Sequence, residues 1–313
     1  MNHITSREIN YSADAVALGN FDGLHRGHQE LIHVAKESKR ATVFSFFPPP
    51  MSVLMGAELK TIITSEEKAF LLDKIGVSLF IEYPFDKEIS VMSPENFVKD
   101  ILVGQLHCRV VVIGEDYQFG QDGRGDCKLM YMLGRELGFE VKIISPIMQG
   151  GSKISSTRVR EAVVEREFEE AERLMGRPYF IMGKVIRGDM LGRSIGAPTA
   201  NLAPAKHKLL PPAGVYRSSV LLDDKKFLGM TNVGTRPTVT DSTNAKVIVE
   251  THILDFDGDI YGQTITVEFR QWIRPESKFQ SLDDLRLQIM RDVAAVKAVR
   301  TTHRQTQNSE TPG

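Results

Sequence analysis

The chain has 313 residues, 42% of them hydrophobic and 25% charged, which suits a globular protein of two domains, each with its own core. A formal net charge of −1 offers no basic field for nucleic acid or an anionic membrane, and no apolar run approaches the roughly 20 residues that span a bilayer. Cys108 and Cys127 stand without CxxC or zinc spacing, and the polar opening MNHITSREINYS lacks a signal-peptide core, so a soluble cytoplasmic protein is expected.

The first informative stretch is residues 16–32, VALGNFDGLHRGHQELI. Val16, Ala17 and Leu18 suit a buried strand, and Gly19, Asn20, Asp22 and Gly23 are turn formers. Leu31, Ile32 and Ala35 then recur at helical spacing, which places His25 and His28 on the loop and opening turn of a helix. Unpaired backbone N–H groups and the dipole's positive end favour a phosphate there. Imidazoles three residues apart can face one ligand and donate to charge developing on a phosphoryl group. By themselves the residues also allow two surface histidines, or a metal site of His25, His28 and Asp22.

Strand and helix patterns alternate onward. Residues 41–47 read as a buried strand ended by Pro48, Pro49 and Pro50. Thr64 and Glu67 form a capping box before a helix around Phe70 and Leu72. Residues 77–81 form the next strand, and Ser93-Pro94 opens a further helix. RVVVI, 109–113, is a buried strand, a helix ends near Gly138, and 141–144 is another strand. This alternation predicts right-handed βαβ units and a mainly parallel sheet, a Rossmann-like domain with ligands at the strands' C-terminal ends. Three loops fall at that edge. In FSFFPPP, Phe46 and Phe47 can border a planar ring or simply pack in the core. In GEDYQFG, Asp116 can equally be an Asx-turn residue. In ISSTRVREAV, hydroxyls at a helix N-terminus can hold a triphosphate that Arg158 or Arg160 neutralises, or merely cap the helix.

Strand, GxFDG turn, HxGH and helix in that order resemble the signature of the nucleotidyltransferase superfamily, and GNFDGLHRGHQ resembles the bacterial bifunctional riboflavin kinase/FAD synthetases. The resemblance implies that His25 and His28 are catalytic and that Gly19, Phe21 and Asp22 lie at the ATP phosphates. It places Asp116, Tyr117 and Phe119, with Phe46, near the flavin. ISSTRVR is similar to the family's ISSTxIR clamp on ATP, which implies Ser156, Thr157 and Arg160. Joining FMN to ATP uses a phosphate nucleophile that is already ionised. The step therefore calls for alignment and charge stabilisation rather than a strong base.

A charged helix over 165–175 is broken by Gly176-Arg177-Pro178. Short strands with frequent Gly and Pro then predict a small antiparallel β-barrel, with strands at 180–186, 215–222, 226–231, 246–254 and 264–269 and a helix over 281–299. The domains expected are 1–177 and 178–300, followed by a disordered tail over 301–313. GKVIRGDMLGRSIGAPTANL is no Walker A loop, yet Thr199 and Asn201 share a strand face and offer hard oxygen ligands. The stretch resembles the riboflavin kinase PTAN pattern, with Ile195 and Ala197 where that family often has Leu and Phe. It implies ATP contacts from Gly183, Gly188, Thr199 and Asn201, with Mg²⁺ held by the last two. GVY, NVGTRPTV and VETHILDFDGDIYG agree in order. They imply that Glu250 is the base that deprotonates riboflavin's ribityl hydroxyl, a neutral alcohol that needs one. Taken on its residues, Glu250 is also an ordinary solvent-facing strand glutamate.

The expectation is an enzyme that phosphorylates riboflavin to FMN in its C-terminal domain and adenylylates FMN to FAD in its N-terminal domain. Its ligands would be riboflavin, FMN, FAD and ATP with Mg²⁺, and neither nucleic acid nor membrane. The alternatives are one active half or a non-catalytic flavin-binding sensor. Oligomeric state is not readable from the sequence.

Overall fold

The computed structural model describes residues 1–188, 197–238 and 241–298, with side chains outside 235–247. The chain divides into two compact units. Unit 1 comprises Met1–Met182 and Pro204–Pro212, and unit 2 comprises Gly183–Ala203 and Ala213–Gly313.

Unit 1 is built on six parallel strands, β1 (Asn2–Ile4), β2 (Ala15–Leu18), β3 (Ala41–Phe47), β4 (Leu79–Pro84), β5 (Val110–Gly114) and β6 (Glu140–Ile144), in the order β1-β4-β3-β2-β5-β6. β2 is buried throughout, as a central parallel strand covered on both faces must be. From β2 the chain winds outward through β3 to β4, then returns to the other side of β2 as β5. The order therefore reverses between β2 and β5, which makes their C-terminal ends the switch-point crevice. The loops GNFDG and GEDYQFG leave from those two strands.

Helices α1 (Arg26–Ala35), α2 (Pro50–Met55), α3 (Ser65–Ile75), α4 (Lys87–Ser90) and α5 (Pro94–Asn96, continued as a π-helix over Phe97–Gln105) precede α6 (Cys127–Leu137), α7 (Ser156–Val164) and α8 (Phe168–Met175). The expected caps are present. Thr64 and Glu67 complete a reciprocal capping box on α3, the Asn96 N–H donates to the Ser93 hydroxyl, and Gly138 closes α6 in the left-handed conformation. Four elements lie outside the sequence expectation: β1, α2, α4, and a hairpin of β7 (Met148–Gln149) and β8 (Ser152–Lys153) turned by Gly150 and Gly151 at φ +61° and +78°. Each is too short for its periodicity to register.

The Pro204–Pro212 segment is tied into unit 1 by a buried ion pair. The Lys208 ammonium donates to Glu67 Oε2 at 2.6 Å and to the carbonyls of Ile62 and Phe180, so all three of its protons are used. Glu67 is thus both a helix cap and the counter-charge of Lys208.

Unit 2 is a closed barrel in the order β10-β13-β12-β11-β14-β9, formed by β9 (Phe180–Ile186, which begins in unit 1), β10 (Thr199–Leu202), β11 (Gly214–Leu222), β12 (Lys225–Thr238), β13 (Asp241–Ile253) and β14 (Thr264–Arg274). Closure removes the exposed edges of an open sheet. Tyr216, Val220, Val249, Val267 and Phe269 fill the interior. Buried Ser218, Thr231 and Thr251 satisfy one another there through hydroxyl contacts of 2.8 and 2.9 Å. Helix α9 (Leu282–Ala298) packs Val296 inward and fixes Asp292 to Arg274 at 2.8 Å. Ile195 and the tail from residue 301 lie outside the described residues.

Candidate active sites

In unit 1, His25 is the N-cap of α1, and its Nδ1 accepts the backbone N–H of His28 at 3.2 Å. An accepting Nδ1 on a neutral imidazole leaves the proton on Nε2. The two rings stack at 3.6 Å with an interplanar angle of 14°. Burial pushes His25 down to about 4, and burial together with neighbouring His25, Lys68 and Arg177 carries His28 well below the ordinary histidine range. Both are therefore neutral near pH 7. Gly27 explains the glycine of HxGH, because a Cβ there would sit 3.2 Å from the His25 ring.

A cavity of about 850 Å³ opens at this edge of the sheet. Of the residues anticipated from sequence, Gly19, His25, His28, Phe46, Asp116, Tyr117, Phe119 and Ser156 line it. Phe46 meets Phe85 edge-on at 5.1 Å, and Tyr117 stacks on buried Phe119 at 5.9 Å, so these rings pack as well as line.

Phe21, Asp22, Thr157 and Arg160 are not in the cavity lining. Phe21 is fully buried, with its ring against His28 at 5.3 Å. Asp22 is a hub. Its carboxylate accepts the Ile62 N–H at 2.8 Å and Arg160 at 2.7 Å, and its carbonyl accepts the Ser156 hydroxyl at 2.8 Å. Arg160 also donates to the Lys60 carbonyl at 2.5 Å. Thr157 is exposed at the start of α7. This network seats the N-terminus of α7 against the GNFDG turn.

Two lining residues, Gln118 and Lys153, went unremarked in the sequence, and Asn20 was read only as a turn former, whereas Ser155 joins Ser156 in the lining as one of the hydroxyls expected at the α7 N-terminus. Lys153 forms an ion pair with Asp116. Arg158 braces the hairpin behind it, donating to the carbonyls of Gln149, Ser152 and Lys153 and to Glu170 at 2.9 Å. Buried Lys68 lies 3.2 Å from the Asn20 carbonyl, with Ser45 and Glu82 as its other neighbours at 3.5 Å. Only the basic character of these lysines was visible beforehand.

In unit 2 strand register assembles the second site. Asn201 of β10 lies opposite Glu250 of β13, which lies opposite Asn232 of β12, and Thr199 lies opposite His252. His252 Nδ1 donates to the Pro198 carbonyl at 2.9 Å. A cavity of about 210 Å³ is lined by Gly188, Thr199, Asn201 and the 256–261 loop. A Cβ on Gly188 would fall 2.5 Å from the Asn201 amide nitrogen, so the backbone closes tightly over that side chain. Gly183 sits in β9 and faces Leu202 instead. The Thr199 hydroxyl and Asn201 amide are hard oxygen donors, suited to a divalent cation shared with nucleotide phosphates. Among the described residues no cluster of three His, Cys, Asp or Glu offers a self-sufficient metal site.

A parallel sheet carrying stacked HxGH histidines at its switch point, followed by a barrel pairing a Thr/Asn strand with a glutamate strand, defines a two-unit nucleotide-using transferase. Residues 8–158 match the FAD synthetase family model, and residues 175–300 match the riboflavin kinase model. The bifunctional riboflavin kinase/FMN adenylyltransferase of Escherichia coli K12 is 38% identical over 88% of this chain and 90% of its own. That of Listeria monocytogenes is 37% identical over 94% and 95%. A solved structure described as a macrolide-efflux protein from Streptococcus pneumoniae superposes with a TM-score of 0.81 at 30% identity, over 96% of this chain and all of that one. The chain belongs to the bifunctional riboflavin kinase/FMN adenylyltransferase family, with the FAD synthetase domain first and the riboflavin kinase domain second. Among the described residues no helix is long and apolar enough to cross a membrane.

Proposed function

We propose that unit 2 transfers the γ-phosphate of ATP to riboflavin with Glu250 as the base, and that unit 1 joins the resulting FMN to ATP at His25 and His28, releasing pyrophosphate. The observation that carries this reading is the barrel register. It sets Glu250 directly across from Asn201, so the two side chains share one face of the sheet, and this supports a base beside the nucleotide-binding amide although Glu250 is not among the residues lining the 210 Å³ cavity. Glu250 takes the proton from the ribityl hydroxyl as that oxygen attacks phosphorus. Thr199 and Asn201 would hold Mg²⁺, which neutralises the transferring phosphate when bound. In unit 1 the imidazole N–H groups, the Ser156 region and the α7 N-terminus stabilise charge at the α-phosphate and on departing pyrophosphate. Gly19 and Gly188 let backbone approach phosphate, while Phe46, Tyr117 and Phe119 border the flavin. In this reading Asp22 and Arg160 act through each other, holding α7 in place. A cytoplasmic location belongs to the same reading, supported by two free cysteines.

The test is chromatography of flavins after incubation with riboflavin and Mg-ATP, beside an FMN-fed reaction. Glu250→Ala should lower FMN formation about 10²–10⁴-fold, the usual worth of a general base, while supplied FMN still becomes FAD. His28→Ala should accumulate FMN with little FAD. Equal loss of both activities in either folded variant would refute the division of labour.

A further inference from the structure

We propose that Lys153 is the cation that receives the triphosphate of ATP in the unit 1 cavity, and that its ion pair with Asp116 is a resting contact it leaves when ATP enters. The proposal rests on the reading that adenylylation occurs in this cavity. A triphosphate brings several negative charges, and helix N-terminal dipoles and neutral imidazoles cannot balance them alone. The arginines nearest by sequence are already engaged. Arg160 is held by Asp22 and the Lys60 carbonyl, and Arg158 by three hairpin carbonyls and Glu170. Lys68 is buried beneath the Asn20 loop with Glu82 beside it. Among the described residues that line the cavity, Lys153 is the one lysine or arginine.

Its setting suits exchange between partners. The Lys153 and Asp116 side chains are 43% and 69% exposed, so water and salt screen the pair and a polyanion competes with it readily. Arg158 grips the carbonyls of the hairpin, which holds the Lys153 backbone in place while leaving its four-carbon stem free to swing. Both charges reach the reaction centre: Lys153 lowers and Asp116 raises the proton affinity of the His25 ring. Asp116 therefore acts as an internal stand-in for the anionic substrate, and ATP binding replaces one carboxylate with a stronger phosphate partner.

The experiment measures FAD formation from FMN in the full chain, with ATP and FMN varied separately and riboflavin phosphorylation as the check on folding. Lys153→Gln should raise the KM for ATP about tenfold, the loss of one charge-assisted contact, and weaken the salt dependence of that KM. Lys153→Arg should restore most of it. Asp116→Asn should lower the KM for ATP, because the competing carboxylate is gone. If the pair were only a strut, Lys153→Gln and Asp116→Asn would raise the KM for ATP alike, and the proposal would fall. A rise confined to the KM for FMN would overturn it as well, by making Lys153 a flavin-phosphate contact. His28→Ala separates the two readings. Undiminished FAD formation in that variant would move the chemistry out of this cavity and overturn the underlying site assignment, whatever Lys153 does.

Discussion

At the scale of single residues the two histidines are held neutral by their surroundings, and this has a measurable consequence for stability. His25 is 6% exposed and its affinity for a proton falls from 6.5 to about 4 on folding. Between those values the unfolded chain binds the proton and the folded chain does not, so stability rises with pH across the window. The stabilisation is complete above about pH 6.5 and is lost progressively as pH falls toward 4, by about 3 kcal/mol at most for a shift of this size. His28 is shifted in the same direction and steepens the same limb. Urea unfolding at a series of pH values should show that limb, and His25→Gln should flatten it without altering stability near pH 8 by a comparable amount. A His25→Gln profile parallel to that of the parent would mean that the imidazole titrates normally in the folded protein.

At the scale of elements, tight backbone approaches and buried pairs do the positioning. Gly188 lies so close to Asn201 that Gly188→Ala must displace the amide, and its expected effect is a raised KM for ATP in riboflavin phosphorylation with FMN-to-FAD conversion unchanged. Kinetics on the two half-reactions would show it, and an unchanged kinase KM would remove Asn201 from the nucleotide site. The Glu67–Lys208 pair is buried on both sides, so Glu67→Ala strands an ammonium and should cost about 3–5 kcal/mol in urea unfolding, whereas Glu67→Met with Lys208→Met should recover only part of it, because the Thr64 and Met182 N–H groups lose their acceptor. Much of this architecture was legible in the sequence, and for identifiable reasons. The strand over 41–47, the capping box at Thr64 and Glu67 and the strand over 180–186 all announce themselves within one window of periodicity or turn chemistry. The two-residue strands of the β7–β8 hairpin carry no period, so the loop bearing Lys153 was invisible. Arg160 was readable as a cation near a helix N-terminus, but its partner Asp22 lies 138 residues away in the chain. Pairing at that separation is decided by the folded sheet, and so the sequence could nominate arginines without telling which was already spent.

At the scale of the whole molecule, each reaction volume is lined by residues of a single compact unit. The larger cavity draws only on unit 1 and the smaller only on unit 2. Among the described residues neither cavity borrows a side chain from the other unit, so each half-reaction is expected to be complete by itself, and the two are linked through FMN, product of one and substrate of the other. The expected behaviour is complementation through solution. Glu250→Ala protein alone should make neither FMN nor FAD from riboflavin, and His28→Ala protein alone should stop at FMN. An equimolar mixture of the two should form FAD after a lag in which free FMN accumulates, because FMN released by one chain is an ordinary substrate for another. The lag should shorten as total protein is raised, since capture of a diffusing intermediate scales with the concentration of the chains that consume it. Time-resolved flavin chromatography of the mixture supplies the measurement. If the mixture failed to make FAD while each variant kept its own half-reaction with supplied substrate, FMN would have to pass between the sites of one chain without release, and the independence of the two cavities would be structural only.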